Sequence, residues 1–244
     1  MVSDECVDVL VDEVVAGVAS RGSPRYNLIN QHIYAFIVHH SSLPLQRLVL
    51  FASGSGSNAE EIVRHFAGSA TVEIPLILTN NPQAGVIERA RRGFGCGQHI
   101  PVLVFDKPAF RESHRIVQLL VDQRIDLIVL AGFMWLVPPA LVEAFPGRII
   151  NIHPALLPKF GGKGMFGHHV HEAVVTAGET ESGITIHFVN EHYDEGQIIF
   201  QATCPIIPSD TPDDVAAKVH ALEYAHYPRV VADVLATLPT PLPF

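Results

Sequence analysis

The chain has 244 residues, of which 48% are hydrophobic and 17% are charged, a composition typical of a folded domain with a sizeable core rather than of a disordered chain. Sixteen basic residues against 25 acidic ones give a net charge of −9, which disfavours binding to the phosphate backbone of nucleic acids. No apolar run approaches the ~18 residues of a transmembrane helix, so we expect no membrane partner.

Residues 1–45 differ in pattern from the rest of the chain. Between Val7 and Val18 apolar residues recur at helical spacing, which predicts a short amphipathic helix, but the segment carries no recognisable motif. We interpret residues 1–45 as an extension of unknown role. The three cysteines lie far apart along the chain, which is typical of reduced thiols and favours a cytoplasmic location: Cys6, Cys96 and Cys204.

From Leu48 onward, short apolar runs alternate with helical patterns. Strands are predicted at 48–52, 72–79, 102–105 and 125–131, with helices at 59–66, 85–93 and 108–123 between them. Continuous apolar strands are typical of parallel sheets, because helices cover both faces of such a sheet. The alternation predicts an α/β fold, a doubly wound and mostly parallel sheet flanked by helices.

The second half of the chain has a different pattern. A strand is predicted at 148–152, followed by a Pro/Gly-rich loop, two strands at 184–189 and 197–207, and a helix at 211–235 capped by Thr211. We treat residues 46–244 as one domain. Within it we expect residues 46–150 to hold the phosphate of a nucleotide and residues 151–244 to supply the catalytic groups.

The segment Gly54-Ser55-Gly56-Ser57-Asn58 lies between a predicted strand and a predicted helix. Glycines allow the backbone to turn its N–H groups toward an anion, and the following helix presents its positive end there. Ser57 and Asn58 can add side-chain donors. The segment lacks the lysine of a P-loop and the spacing of a dinucleotide fingerprint, so it favours a single phosphate. A purely structural turn remains the alternative.

Asn151-Ile152-His153-Pro154 ends a predicted strand. Asn151 and His153 fall on the same face of that strand, at the carboxyl edge where open α/β sheets bind ligands. An amide donor beside an imidazole suits the stabilisation of an oxyanion. The alternative is a strand that ends in a hydrogen-bonded polar turn.

Asp194 lies in the loop between the last two predicted strands. A carboxylate near His153 would raise the pKa of that imidazole and accept a proton directly or through water. The sequence alone does not bring the two residues together, and an aspartate chosen for turn geometry is the alternative.

Residues 46–235 resemble the glycinamide ribonucleotide formyltransferases, a family of folate-dependent enzymes. The motifs that carry this resemblance occur in order along the chain: Gly54–Asn58, Asn80-Asn81, Glu88-Arg89-Ala90, Ala131–Met134, Asn151–Phe160, Asp194-Glu195-Gly196, and Glu223 with Tyr227-Pro228. The resemblance implies that 10-formyltetrahydrofolate is the co-substrate and that its formyl group passes to the amine of glycinamide ribonucleotide by direct attack, in purine biosynthesis. It implies no metal, and a monomer or a homodimer.

The same resemblance assigns roles to individual residues. It makes Asn151, His153 and Asp194 the catalytic trio. It places the substrate phosphate at Gly56, Ser57 and Asn58, and assigns Glu223 to the nucleotide substrate. Folate contacts are implied for two short segments, Met134, Trp135, Leu136 and Val137, and Asn190, Glu191, His192 and Tyr193.

Two features depart from the pattern of the family. Trp135 stands where family members often carry arginine, and residues 161–169 differ from the loop of the best-known bacterial members. Three histidines close this stretch, His168, His169 and His171. Their adjacent and alternate spacing is not that of a zinc site, so we expect a substrate-facing loop or the start of a helix there.

Three other functions stay open on the sequence. A methionyl-tRNA formyltransferase shares the Asn-x-His-Pro core but carries a further C-terminal domain, and a chain of net charge −9 disfavours tRNA. A formyltetrahydrofolate hydrolase shares the core but needs no phosphate loop. A non-catalytic nucleotide-binding module is not expected to retain Asn151, His153 and Asp194 together.

Overall fold

A computed structural model describes residues 45–111 and 114–239. The predicted extension, apart from its last residue, and the predicted helix near Val7 lie outside the described residues. From Gln46 onward the described chain forms one unit around a central sheet. Its eight strands are β1 Gln46–Phe51, β2 Val72–Glu73, β3 Ile77–Thr79, β4 Val102–Val104, β5 Leu127–Leu130, β6 Ile149–His153, β7 Glu181–Phe188 and β8 Ile198–Pro205.

Seven helices flank these strands in the described part of the chain. They are α1 Ser57–Phe66, α2 Gly85–Arg91, α3 Lys107–Arg111, α4 His114–Asp122, α5 Pro139–Ala144, α6 His168–Thr176 and α7 Pro212–Thr237, with a short 3₁₀ turn at Gly93–Gly95. The N-terminus of α7 has the predicted cap: Thr211 accepts from the N–H of Asp214, whose carboxylate accepts from the N–H of Thr211 in return.

The sheet has the strand order β4-β3-β1-β5-β6-β7-β8, and β2 pairs with the start of β1. Pairing is parallel from β4 through to β6, whereas β7 and β8 run antiparallel. The chain leaves β1 toward β3 on one side and returns to β5 on the other side. The predicted doubly wound, mostly parallel sheet is therefore confirmed, and β1 lies where the strand order reverses.

The apolar strand β1 is buried on both faces. Leu48 and Leu50 pack with residues of α1, α2 and α7, whereas Val49 and Phe51 pack with residues of α3, α4 and α5. This alternation explains why residues 48–51 of β1 form a continuous apolar run, because each face of the sheet has its own layer of helices.

One predicted strand was wrong in detail. Residues 72–79 form two short strands, because Pro75 has no N–H to donate to a strand ladder. β2 pairs with Gln46 and Arg47, and β3 pairs with Leu50 and Phe51, on the same side of β1.

Several helix predictions also changed. The described residues of the helix predicted at 108–123 lie in α3 and α4, on either side of residues 112–113. α5 was not predicted, whereas α6 begins at His168, where the start of a helix was one of two expectations. Pro139 at the first position of α5 is a helix-start signal, because proline lacks only an N–H that has no helical partner there.

Candidate active site

A cleft of about 690 Å³ opens at the carboxyl ends of β1, β5 and β6. It lies where the chain segments that follow β1 and β5 diverge, which is the usual position of ligand sites in doubly wound sheets. The glycine loop (residues 54–58) lines one part, and Asn151, His153 and Asp194 line another. Residues predicted separately from the sequence therefore share one cavity.

Gly56 sets the shape of the glycine loop. It has φ +76°, and a Cβ added there would lie 2.6 Å from the Cβ of Val86. Only glycine is compatible with both the left-handed backbone and this close approach. α1 begins at the next residue, Ser57, so its N-terminal N–H groups point into the cleft region that the loop lines.

Asn58 and Glu223 form a buried pair next to the glycine loop. The Asn58 side-chain nitrogen donates to a Glu223 carboxylate oxygen at 2.9 Å. Asn58 Oδ1 is buried without a hydrogen-bond partner. Burial raises the pKa of Glu223 above its usual range, although the bond from Asn58 lowers that pKa in part. Glu223 takes one of the two Asn58 amide hydrogens, so the other amide hydrogen, the Ser55 and Ser57 hydroxyls and the backbone N–H groups are the remaining donors of this loop.

Asn151 and His153 lie on the same face of β6, as predicted from their spacing. In the antiparallel pairing with β7, Asn151 lies opposite His187 and His153 lies opposite Thr185. His153 is buried, whereas Asn151 is half-buried and lines the cleft. The two β6 residues therefore present an amide and an imidazole to the same end of the cavity.

Both ring nitrogens of His153 face protein oxygens. Nε2 lies 2.8 Å from the carbonyl oxygen of Phe160, which can only accept, so Nε2 carries the hydrogen. Nδ1 lies 3.5 Å from Asp194 Oδ2. Burial lowers the pKa of His153, and the opposing effects of Asp194 and the Phe160 carbonyl do not reverse this. Nδ1 is therefore the ring nitrogen that faces Asp194 and can take up a proton.

Asp194 is fixed by contacts with three elements. It adopts φ +57°, accepts from the N–H of Gly162 at 2.9 Å, and lies within 3.6 Å of both His153 and His187. Burial raises the pKa of Asp194, but its contacts with His187, His153 and Gly162 together outweigh burial and leave the pKa below its usual range. The carboxylate is ionised and able to accept a proton.

His187 is a site residue that the sequence analysis missed. Its Nδ1 donates to the Phe188 carbonyl at 2.8 Å, so Nε2 of the neutral ring accepts from the Asn151 amide at 3.2 Å. When protonated, the same nitrogen can donate to Asp194. A sequence signal existed, because Thr185 and His187 are polar residues at alternate positions of the otherwise apolar strand predicted at 184–189.

Most residues implied for folate lie along the cleft. All four residues of 134–137 line it, as do His192 and Tyr193, whereas Asn190 and Glu191 lie outside its lining. Asn190 instead accepts from the N–H of His192 and shapes the loop. Trp135 packs against Phe105, Phe110 and Phe133, so this departure from the family pattern joins the cleft rim to the aromatic core.

The loop 161–169 contacts Asp194. Gly162 binds the Asp194 carboxylate, and a Cβ at Gly161 would lie 2.6 Å from a Leu157 methyl carbon. His168 begins α6 and lines the cleft together with His171. Across residues 45–111 and 114–239 no group of three or more His, Cys, Asp or Glu side chains is arranged to hold a metal ion. None of the helices in those ranges is long and apolar enough to cross a membrane.

The formyl transferase family model matches residues 46–231, which include every residue discussed at the cleft. The chain belongs to the formyl transferase family. The family uses a folate-derived formyl donor, and the match confirms the resemblance that the ordered motifs indicated.

Individual relatives agree with this assignment. The chain is 43% identical to the chloroplastic phosphoribosylglycinamide formyltransferase of Arabidopsis thaliana, covering 78% of this chain and 65% of that protein. It is 36% identical to the phosphoribosylglycinamide formyltransferase of Bacillus subtilis, covering 78% of this chain and 95% of the relative. A solved glycinamide ribonucleotide transformylase 1 from Geobacillus kaustophilus superimposes with a TM-score of 0.70 at 36% identity, covering 79% of this chain and all of the other.

Proposed function

We propose that this protein transfers the formyl group of 10-formyltetrahydrofolate to the amine of glycinamide ribonucleotide in de novo purine biosynthesis. The observation that carries the proposal is the single cleft that joins a glycine loop to the Asn151, His153 and Asp194 side chains. The relatives bearing the name of this activity support the proposal. The widely spaced cysteines support a cytoplasmic location, and a monomer or a homodimer remains our expectation.

The nucleotide phosphate is assigned to the glycine loop. Backbone N–H groups at Gly56 and the start of α1, with the Ser57 hydroxyl, offer donors suited to an anion. The buried Glu223 carboxyl group disfavours a second anion nearby and favours hydroxyl groups or the amine. This order of groups directs the amine end of the nucleotide toward Asn151.

Asn151 is assigned to the formyl oxygen. Its side-chain nitrogen carries two hydrogens, one of which His187 accepts, so the other is available to a ligand in the cleft. As the amine nitrogen bonds to the formyl carbon, the formyl oxygen becomes an oxyanion. A fixed amide donor stabilises that charge more than it stabilises the neutral ground state.

His153 and Asp194 are assigned to proton transfer. The attacking amine loses a proton to Asp194, directly or through water. The proton can pass on to His153 Nδ1, which lies 3.5 Å from Asp194 Oδ2. Because the Phe160 carbonyl accepts from Nε2, the resulting imidazolium is held in place, and its charge stabilises the oxyanion. Collapse of the intermediate breaks the bond from the formyl carbon to the folate nitrogen. That nitrogen takes the proton that Asp194 and His153 removed from the amine, directly or through water, as tetrahydrofolate leaves.

The folate is assigned to the part of the cleft lined by 134–137 and 192–193. Met134 and Leu136 are exposed apolar side chains there. They offer surface to a flat ring without carrying charge. Asn190 and Glu191 lie outside the lining, so we assign them to the shape of the loop and not to direct contact with the folate.

Folate release measured with and without glycinamide ribonucleotide tests the proposal. A transferase releases tetrahydrofolate only when the nucleotide is present, a hydrolase releases it in either case, and an inert binder releases none. We expect release that depends on the nucleotide and is stoichiometric with formylated product. Release at the same rate without the nucleotide would replace the proposal with hydrolysis.

A further inference from the structure

Two carbonyl oxygens of the glycine loop are held from one side by α2. The N–H of Val86 donates to the Gly54 carbonyl at 3.4 Å, and Nε of Arg89 donates to the Ser55 carbonyl at 2.8 Å. Arg89 also binds the carboxylate of Glu60 in the first turn of α1. A single guanidinium therefore ties the loop to the helix that follows it.

Fixing these carbonyls also fixes the direction of two N–H groups. In a planar trans peptide the carbonyl and the next N–H point in opposite directions. The N–H groups of Ser55 and Gly56 therefore point away from α2. Neither donates to another atom within the described part of the chain, and both residues line the cleft. The loop thus has two backbone donors that are free to bind a ligand in the cavity.

We propose that Arg89 is a positioning residue for the nucleotide phosphate. Its guanidinium holds the Ser55–Gly56 peptide in the orientation that turns the Gly56 N–H toward the anion. Arg89 itself is not part of the cleft lining, so it acts through the loop and not by contact with the ligand. The inference rests on the proposed function for the identity of the nucleotide, but not for the presence of an anion site.

The fork shape of arginine is needed for this role. One edge donates to a backbone carbonyl while a second nitrogen binds Glu60, and a lysine has no second donor at the matching position. Glu60 is largely buried, so the ion pair is less screened than a surface pair. We therefore expect the Arg89–Glu60 pair to stabilise the loop conformation more than a fully exposed ion pair would.

Arg92 supplies a matched control. It follows α2 directly and its Nε binds Glu88 at 2.8 Å, but both side chains are exposed and neither lines the cleft. Arg92→Gln thus removes the same charge from the same end of α2 without releasing the glycine loop.

Steady-state kinetics of Arg89→Gln, Arg89→Lys and Arg92→Gln test the inference. For Arg89→Gln we expect the KM for glycinamide ribonucleotide to rise about tenfold or more, with kcat and the KM for the folate within about twofold. Arg89→Lys should lie between Arg89→Gln and the unmodified protein, and Arg92→Gln should match the unmodified protein. An unchanged nucleotide KM in Arg89→Gln, or an equal rise in both KM values, would overturn the role.

A titration with inorganic phosphate separates this inference from the proposed function. We expect the backbone amide resonances of Ser55 and Gly56 to shift with phosphate, with a dissociation constant that rises about tenfold in Arg89→Gln and stays constant in Arg92→Gln. This readout holds even if no formyl transfer is found, in which case the proposed function fails and the role of Arg89 stands. The inference fails if the Ser55 and Gly56 amide resonances of the unmodified protein do not shift with phosphate, or if Arg89→Gln binds phosphate as tightly as the unmodified protein.

Discussion

The two ends of the cleft are built by different means. The glycine loop is continuous in sequence, and its donors are backbone N–H groups whose direction depends on packing at Gly56. The other end, which we call the catalytic edge after its proposed role, draws Asn151 and His153 from β6, His187 from β7 and Asp194 from the following loop. Backbone N–H groups do not titrate, whereas the edge contains two imidazoles that each lie within 3.6 Å of the Asp194 carboxylate. We therefore expect nucleotide binding at the glycine loop to depend on the shape of the loop. We expect the reaction at the other end to depend on the protonation of its side chains.

Asp194→Asn should give the largest effect. Asparagine keeps the size of the side chain, tolerates the left-handed backbone at φ +57°, and still offers an oxygen to the Gly162 N–H. It cannot accept the proton of the amine. We expect kcat to fall by about 100-fold or more, with nucleotide binding retained.

Melting temperature and nucleotide affinity of the same Asp194→Asn preparation serve as controls. A folded variant with unchanged kcat removes Asp194 from the mechanism. A loss of nucleotide affinity equal to the loss of turnover would mean that nucleotide binding at the glycine loop depends on the Asp194 carboxylate.

His171 extends the comparison to stability, because it is buried between the catalytic edge and α7. Its Nδ1 has no hydrogen-bond partner, and burial together with His220, His168 and His153 lowers its pKa from 6.5 to about 4. Between these values the unfolded chain binds more protons than the folded one, so the free energy of unfolding falls as pH falls. From pH 6.5 to pH 5 we expect a loss of about 1.6 kcal/mol from this residue.

Urea unfolding at both pH values measures the contribution of His171. His171→Leu should lose less stability between pH 6.5 and pH 5 than the unmodified protein, by about the same 1.6 kcal/mol. His169→Gln, which changes an exposed neighbour, should retain the full pH dependence. If the free energy of unfolding changes equally with pH in His171→Leu and in the unmodified protein, His171 is not the source of the pH dependence.

Gly56→Val should affect only the nucleotide end. The new Cβ would lie 2.6 Å from the Cβ of Val86, on a backbone that valine rarely adopts, so the loop must shift. We expect nucleotide affinity to fall about tenfold or more and folate affinity to stay within about twofold. Calorimetric titration of both ligands into the folded variant measures this.

Gly54→Ala provides the comparison for Gly56→Val. An added Cβ at Gly54 meets no atom within 4 Å, so we expect a much smaller change in nucleotide affinity. Equal loss of both affinities in Gly56→Val, or loss of folate affinity alone, would show that the two substrates have been assigned to the wrong ends.

Removal of residues 1–45 should have the smallest effect. The motifs at the cleft all follow Gln46, and the family match begins there. We expect the chain from residue 46 onward to keep kcat and both KM values within about twofold. A truncated protein that folds but no longer binds substrate would place part of the extension in the site.

Local patterns were sufficient to predict much of the sheet and the glycine loop. β1 and β5 are continuous apolar runs, and the loop 54–58 follows β1 directly, so neighbouring residues carry the signal. The shared face of Asn151 and His153 also follows from strand periodicity alone. The strand error at 72–79 came from a local signal that was overlooked, the proline at position 75.

Long-range contacts were beyond the reach of such patterns. His187 joins the site only because β7 pairs antiparallel with β6 in a register that sets it opposite Asn151. Arg89 reaches a carbonyl 34 residues earlier, and Asp194 reaches His153 only through the loop after β7. For Asp194 the family resemblance supplied the pairing, which spacing had left open.

The destination of the formyl carbon tests the proposed transfer most directly. 10-Formyltetrahydrofolate labelled with ¹³C at the formyl carbon is mixed with glycinamide ribonucleotide and the unmodified protein, and the products are followed by NMR. We predict that the label appears in the formamide of the nucleotide product at the rate of tetrahydrofolate release. Label found in free formate instead, with the nucleotide amine unchanged, would contradict transfer and show that the cleft delivers the formyl group to water.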